Sequence, residues 1–218
     1  MRVLVKPLRG SKRADMLIIK IDPKKTDAET LAKAVAVLKQ GGLVVYPTET
    51  AYAFGCDPKN VRAVRKLFTI KKRDASKSLP MIAASVLMAR QSVVLDRYAS
   101  MLANAFWPGP LTLVAPATKG SNEIALRVSS APWARSLSAA LGRPIISTSA
   151  NLSGRKTHYD ISSVLRDLGT FPDVVLDAGH LKPTRPSTIV RAHGGLVAIL
   201  REGPISEDDL HRELMKRL

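Results

Sequence analysis

The chain contains a single cysteine, Cys56. One thiol excludes an internal disulfide framework and a multi-cysteine zinc site, and it points to a reducing compartment. Acidic residues are scarce as well: 18 Asp and Glu stand against 34 Lys and Arg, a formal charge of +16. That balance favours a polyanionic ligand or partner, whether RNA, nucleotide or anionic lipid. Long apolar runs are missing. The longest, Leu79 to Ala89, contains Pro80 and falls well short of the roughly 20 residues that cross a bilayer. Met1 to Asp15 carries Arg2, Lys6, Arg9, Lys12 and Arg13 without the apolar stretch of a signal peptide, so a cytoplasmic protein is expected. No GxxxxGKS/T phosphate loop, GxGxxG turn, GxSxG elbow or HExxH helix occurs. His158, His180, His193 and His211 include no i, i+4 pair, and each reads as a surface or hydrogen-bonded side chain rather than a metal ligand.

What is present is the composition of a folded protein: 218 residues, of which 45% are hydrophobic and 24% charged. No repeat, low-complexity tract or Pro/Gly-rich linker divides it. Residues 1–15 read as a basic, weakly patterned lead-in, with order beginning near Met16 at an alternating strand, Leu17 to Ile21. Thr26 followed by Glu29 is a capping-box pattern, and Leu31, Ala34, Val35 and Leu38 recur at helical spacing until Gly41 and Gly42. An apolar strand, Leu43 to Tyr46, precedes a turn-like segment, Pro47 to Asp57, and Val61, Val64, Leu67 and Phe68 mark a second helix.

Further strands are expected at Leu79 to Ala83, Leu111 to Ala115, Ile124 to Val128, Pro144 to Thr148 and Val174 to Leu176, with helices near Asp96 to Phe106, Pro132 to Leu141 and Asp160 to Leu168. The end reads as a hairpin around His193-Gly194-Gly195, then a short helix opened by Ser206. Strands and helices interleave, so the fold class expected over 16–218 is a single α/β domain with a large twisted mixed sheet flanked by helices.

Four features carry chemistry. Lys59 to Lys77 holds eight basic residues against Asp74 alone. Arg62, Arg65 and Lys66 fall on the polar face of a helix, where a solvated surface is the simplest reading. Lys71-Lys72-Arg73 follows that helix, and in extended backbone a Lys and an Arg two apart point the same way, offering a point charge and a planar fork to a polyphosphate. Ser147-Thr148-Ser149-Ala150-Asn151-Leu152-Ser153-Gly154 follows an apolar strand, where hydroxyl and amide groups can hold phosphate oxygens or serve equally well as a capping turn. Tyr46 to Tyr52 also follows an apolar strand and combines hydroxyl, carboxylate and aromatic groups. Arg127 interrupts a strand, where a solitary charge needs a buried partner or an anionic ligand.

Seven segments in order carry a resemblance: Gly42-Leu-Val-Val-Tyr-Pro-Thr-Glu-Thr-Ala-Tyr52, Lys71-Lys-Arg73, Phe106-Trp-Pro-Gly-Pro-Leu-Thr112, Leu126-Arg-Val128, Ser147-Thr-Ser-Ala-Asn-Leu-Ser-Gly154, Pro186-Ser-Thr-Ile-Val190 and Ile199-Leu-Arg-Glu-Gly203. Over roughly Ile21 to Pro204 the chain resembles the YrdC-like threonylcarbamoyl-adenylate synthases, of the short single-domain type. The resemblance implies condensation of ATP, L-threonine and bicarbonate to threonylcarbamoyl-AMP and pyrophosphate, for N6-threonylcarbamoyladenosine formation in tRNA. It implies ATP contacts from the KxR pair Lys71 and Arg73, from Ser147, from the SxN pair Ser149 and Asn151, and from Arg201. It implies a threonine site at Thr48, Tyr52, Arg127 and Ser187, with the substrate carboxylate as the partner Arg127 lacks. Lys71, Arg73 and Arg127 then carry the catalysis. Mg2+ is expected to be held through the phosphates rather than by a protein metal site, and a downstream threonylcarbamoyl transferase complex is the expected partner. The family's usual Gly-Leu-Gly becomes Ala53-Phe54-Gly55 here, which places a larger ring beside the pocket, and Asp74 and Ser78 stand where prolines are frequent. A different class of function is a double-stranded RNA-binding accessory protein with the same fold and a vestigial pocket; a third is a paralogue acting on another substrate.

Overall fold

The computed structural model describes residues 2–5, 16–74, 78–168 and 172–216, with side chains from Met16 onward. The elements, in chain order, are β1 (Arg2–Val5), β2 (Met16–Lys20), α1 (Ala28–Lys39), β3 (Val44–Pro47), β4 (Tyr52–Cys56), α2 (Val61–Lys71), β5 (Met81–Ala83), α3 (Val86–Arg90) and α4 (Arg97–Phe106). There follow β6 (Leu111–Pro116), β7 (Glu123–Val128), α5 (Pro132–Leu141), β8 (Ile145–Ser149), α6 (Ile161–Leu168), β9 (Val174–Asp177), β10 (Thr188–His193), β11 (Leu196–Arg201) and α7 (Glu207–Met215). The strands form one mixed sheet in the order β1-β2-β9-β3-β4-β8-β5-β7-β6-β10-β11.

Local chemistry accounts for most boundaries. Pro132 opens α5 and Gly142, at φ 74°, closes it, the usual asymmetry of helix ends. Asp96 caps α4, and Ser206 with Asp209 builds a reciprocal capping box on α7. Three expectations are corrected. The cap of α1 is Asp27, whose side chain accepts from Thr30 N–H, whereas Thr26 meets Ser136. The segment Pro47 to Asp57 is mostly strand: β4 pairs antiparallel with β3, Pro47 facing Tyr52 across a four-residue turn. Ahead of Met16, β1 pairs antiparallel with β2; residues 6–15 and Lys77 lie outside the described residues.

Alternation along the strands sorts the core into layers. In β3, Val45 packs with β4 residues Tyr52 and Phe54 against α2 and α6, while Val44 and Tyr46 face the other way, onto α1 and α5. Gly55 is squeezed between Tyr46 and Ile145, which a Cβ would meet at 2.6 and 2.7 Å. At the other half of the sheet, Leu111, Leu113, Leu126, Val128, Val190 and Ala192 pack on α4 and α7. The opposite-facing residues of those strands, Thr112, Val114, Ala125, Arg127 and Ile189, line a cavity instead. The cavity therefore sits where one sheet face is left without a helix. Phe54 belongs to the core and does not line it, so the expected ring beside the pocket is absent.

Candidate active site

The cavity has a volume of about 740 Å³, within the range of small-molecule sites. All ten residues predicted from the sequence line it: Thr48, Tyr52, Lys71, Arg73, Arg127, Ser147, Ser149, Asn151, Ser187 and Arg201. Four are cations, and Asp74 is the one carboxylic acid among the described lining residues. Thr112, Arg155, Thr157 and Thr184 also line it; they sit in segments with no charge or hydroxyl pattern beyond that of an ordinary loop or strand.

Lys71 and Arg73 reach the cavity by a turn that extended-strand geometry does not describe. Lys71 is the last residue of α2, and Lys72 adopts a left-handed conformation at φ 48°. The N–H groups of Lys72 and Arg73 donate back to Thr69 and Phe68 carbonyls, a Schellman closure made with lysine where glycine is usual. Such a conformation costs roughly 1–2 kcal/mol per non-glycine residue. The turn leaves Lys71 pointing inward and only 2% exposed. Its ammonium donates to the Ser149 carbonyl and, at 2.7 Å, to the Asn151 carbonyl, with Asn151 Oδ1 at 3.5 Å. Ser153 N–H in turn donates to the Lys71 carbonyl. Burial, reinforced by the like charge of Arg73, pushes the Lys71 pKa down to about 8. Arg73 donates through Nη2 to the Ser78 carbonyl at 2.9 Å, and its Nε is buried without a hydrogen-bond partner.

The loop after β8 is braced from within and from behind. Ser149 Oγ donates to Asn151 Oδ1 at 2.6 Å, and Asn151 Nδ2 donates to the Arg155 carbonyl at 2.5 Å. Behind it, the Asp167 carboxylate accepts from Leu152 N–H and pairs with Arg155 at 2.8 Å, with His158 Nε2 3.2 Å away. The Leu152 N–H does most to hold the Asp167 carboxyl below its ordinary pKa. The loop is thus a braced, cavity-lining scaffold as well as a turn.

On the opposite wall, the Thr48 hydroxyl donates to the Ala51 carbonyl at 2.7 Å and closes the β3–β4 turn. Tyr52 lines the wall, but its hydroxyl donates to the Gly179 carbonyl at 2.8 Å and accepts from Ala178 N–H at 2.9 Å. Ser187 shares a hydrogen bond with Thr112 at 2.9 Å, and Arg201 donates to the Ser187 carbonyl through Nε and Nη2. A strand arginine needs a buried partner or an anionic ligand, and the resemblance implies a substrate carboxylate for Arg127. Arg127 has a partner already: Glu49 Oε1 lies 3.2 Å from its Nη1. A partial burial penalty and the charge of Arg127 both disfavour the Arg201 cation, so two guanidiniums compete for counter-charge in one space.

Elsewhere, Arg62 and Arg65 are exposed on α2 as expected, whereas Lys66 is tied to Asp173 at 2.6 Å. Cys56 is buried with its pKa pushed up to about 12, an inert thiol. Among the described residues no three His, Cys, Asp or Glu side chains form a group that could hold a metal ion, and no helix is long and apolar enough to cross a membrane.

Comparison with known proteins gives a coherent result. The family model for Sua5, YciO and YrdC, described as telomere recombination, matches residues 36–203. The threonylcarbamoyl-AMP synthase of Pseudoalteromonas translucida is 35% identical over 189 residues, covering 79% of this chain and 98% of that protein. That of Vibrio vulnificus is 37% identical over 184 residues, again 79% and 98%. The P. abyssi Sua5 structure complexed with L-threonine superposes with a TM-score of 0.83 at 27% identity over 90% of this chain, which spans 60% of the Sua5 chain. E. coli YciO superposes with a TM-score of 0.78 at 26% identity, over 87% of this chain and 96% of that one.

Proposed function

This chain belongs to the Sua5/YciO/YrdC family, and from that premise we propose that it is an L-threonylcarbamoyladenylate synthase, a nucleotidyltransferase acting on ATP, L-threonine and bicarbonate in the cytoplasm. The observation that carries this reading is the convergence of Lys71, Arg73, Arg127 and Arg201 with the Ser149 and Asn151 loop on one cavity. The unpartnered Nε of Arg73 is a donor that awaits an acceptor. The same cavity counts against the accessory role as the main one, because a vestigial pocket has no need of a strained lysine turn and a doubly braced loop.

The reaction asks for no protein nucleophile. The amine of threonine adds to CO2 with loss of a proton, or condenses with bicarbonate with loss of water, to give a carbamate, one oxygen of which attacks the α-phosphorus of ATP while the bond from that phosphorus to the oxygen bridging to the β-phosphate breaks and pyrophosphate leaves. Rate then comes from aligning the reactants, countering charge and excluding water from a labile product. In this reading Arg73 and Arg201 supply forks to the phosphates, and Ser147, Ser149 and Asn151 supply neutral donors. Lys71 places its charge beneath the loop that bears them. Arg127 takes the threonine carboxylate, with Thr48, Tyr52 and Ser187 completing that wall.

The donor set suits a divalent ion that arrives with the nucleotide, since hydroxyls and an amide face the cavity and a carboxylate cage does not. Ser149 and Asn151 would meet the water shell of Mg2+, which when bound withdraws charge from the phosphate oxygens. Purified protein incubated with ATP, bicarbonate and labelled threonine should yield the labelled adenylate and pyrophosphate. Hydrolysis of ATP that ignores threonine would instead mark the paralogue. The product's labile mixed anhydride calls for a threonylcarbamoyl transferase acting on tRNA as the downstream partner.

A further inference from the structure

Arg127 and Glu49 form an ion pair within the protein: their side chains are 10% and 14% exposed, and Nη1 lies 3.2 Å from Oε1 in a charge contact that is not a hydrogen bond. Arg127 lines the cavity, whereas Glu49 lies behind it and does not. The second carboxylate oxygen of Glu49 accepts a hydrogen bond from Ser129 Oγ, two residues beyond Arg127 at the end of β7. Ser129 is itself fixed, because its Oγ accepts from Ala131 N–H at 3.1 Å and its carbonyl accepts from Arg135 Nη1 at 2.6 Å. On its own side, Glu49 belongs to the four-residue turn between β3 and β4, next to Thr48, whose hydroxyl accepts from Ala51 N–H and donates to the Ala51 carbonyl.

We infer that Glu49 is the positioning residue of the amino-acid subsite, holding the Arg127 guanidinium at this wall by its charge and tying it to the turn that carries Thr48. A guanidinium is a planar fork that matches a carboxylate, and a cation already held in place loses less freedom when it binds one. With Nη1 drawn to Glu49 by charge, the guanidinium is held at the wall before an amino acid enters. The same carboxylate offsets the charge of a buried arginine while the cavity is empty, which Arg201 nearby makes more pressing. Glu49 itself need not touch the substrate: it acts through Arg127 and through the turn that carries Thr48.

The inference rests on the cavity being a threonine site, and the experiment separates the two. Threonine affinity by calorimetry, and KM for threonine and for ATP in adenylate formation, are measured for wild-type protein, Glu49→Gln, Glu49→Asp, Arg127→Ala and the Arg127→Ala/Glu49→Gln double variant. Misplacing an anchoring group by about 1 Å can cost on the order of a hundredfold, so Glu49→Gln should raise both the threonine Kd and KM roughly tenfold or more. The ATP KM should change less than about twofold, and Glu49→Asp should recover part of the loss. In the Arg127→Ala background, Glu49→Gln should add little, because its effect runs through the arginine. Three outcomes overturn the inference: threonine binding unchanged in folded Glu49→Gln, threonine and ATP terms worsening together as a general loss of structure would dictate, or fully additive losses in the double variant. If Glu49→Gln does not fold, Glu49→Asp and Ser129→Ala carry the same comparison. Wild-type protein that binds no threonine rejects the site assignment first, and the inference with it.

Discussion

Lys71 and Asn151, one at the end of α2 and the other in the loop after β8, are joined by a 2.7 Å hydrogen bond from the lysine ammonium to the asparagine backbone carbonyl. A charged group buried to this degree is stable only with acceptors around it, and here all of them are loop oxygens rather than a carboxylate. Lys71 therefore braces the loop after β8 and places its charge beneath it.

If ATP occupies this cavity as proposed, its binding should be sensitive to alkali. Burial and Arg73 lower the Lys71 pKa to about 8, from an ordinary value of 10.5. A bound polyanion favours the protonated amine, so ATP affinity should fall above about pH 8, at most tenfold per pH unit for one proton. Stability moves the opposite way. Between 8 and 10.5 the unfolded chain binds more proton than the folded one, so this group destabilises the fold fully below about 8, and the penalty is relieved as pH rises to 10.5. Lys71→Met should flatten both limbs. ATP titrations and melting curves across that range check this, and an ATP affinity indifferent to pH in wild-type protein would refute it.

Tyr52 separates a wall residue from a ligand-binding hydroxyl. Its O–H bridges Ala178 and Gly179 at the exit of β9, and burial raises its pKa far from titration. Tyr52→Phe leaves those two backbone groups unpaired, a loss of about 1–3 kcal/mol. For a chain of this size that lowers Tm by roughly 2–4 °C per kcal/mol. The threonine KM should stay within about twofold of wild type, because no hydroxyl facing the cavity has been removed. A threonine KM raised tenfold at an unchanged Tm would place that hydroxyl in the substrate site instead.

Much of this architecture is legible in the chain itself, and the illegible parts share a cause. Pro132 with Gly142, and Asp96, mark helix ends by local chemistry, so α5 and α4 stand where the pattern puts them. In β4 the residues Tyr52 to Cys56 are buried on both faces, so they show no alternation, and a two-sided strand cannot be told from a turn rich in small residues. Arg127 announces its need of a partner by interrupting a strand, but Glu49 sits in another element's turn, and spacing along the chain says nothing of that approach. The KxR pair was recognisable as a pair; the left-handed Lys72 that aims it was not, since lysine carries no preference for that conformation.

The basic surface gives a prediction independent of the cavity. Lys59, Arg62 and Arg65 are exposed on and beside α2, and none of them lines the pocket. If they meet RNA, duplex binding should weaken with salt along a log–log slope of about 0.9 per phosphate neutralised. Arg62→Ala with Arg65→Ala should flatten that slope by up to about two phosphates while adenylate formation is unchanged. Anisotropy titrations over a salt series decide it. Absence of binding at low salt assigns the charge to solubility or to docking on a protein partner.

Arg73 offers the sharpest test of the nucleotide site. Its guanidinium is tied to the fold by one hydrogen bond to the Ser78 carbonyl, and its Nε has no partner, so the core does not depend on it. Arg73→Ala should leave the melting temperature within a few degrees of wild type, as surface-type substitutions do. It should also remove a charge-assisted bond worth roughly 1.5–3 kcal/mol, which is about ten- to a hundredfold in ATP-dependent turnover. Lys71→Ala should cost turnover similarly. Because it also frees the Ser149 and Asn151 carbonyls, it should lower the melting temperature, which Arg73→Ala does not. The double variant should lose less than the sum of the two, since both act on the same phosphates and loop. Threonine affinity, which belongs to the Arg127 wall, should be nearly spared in Arg73→Ala. Pyrophosphate release with threonine and bicarbonate, read beside a melting curve for each variant, distinguishes these outcomes from a solvated basic turn. Such a turn predicts wild-type turnover in a well-folded Arg73→Ala protein, and that result would remove the nucleotide from this site.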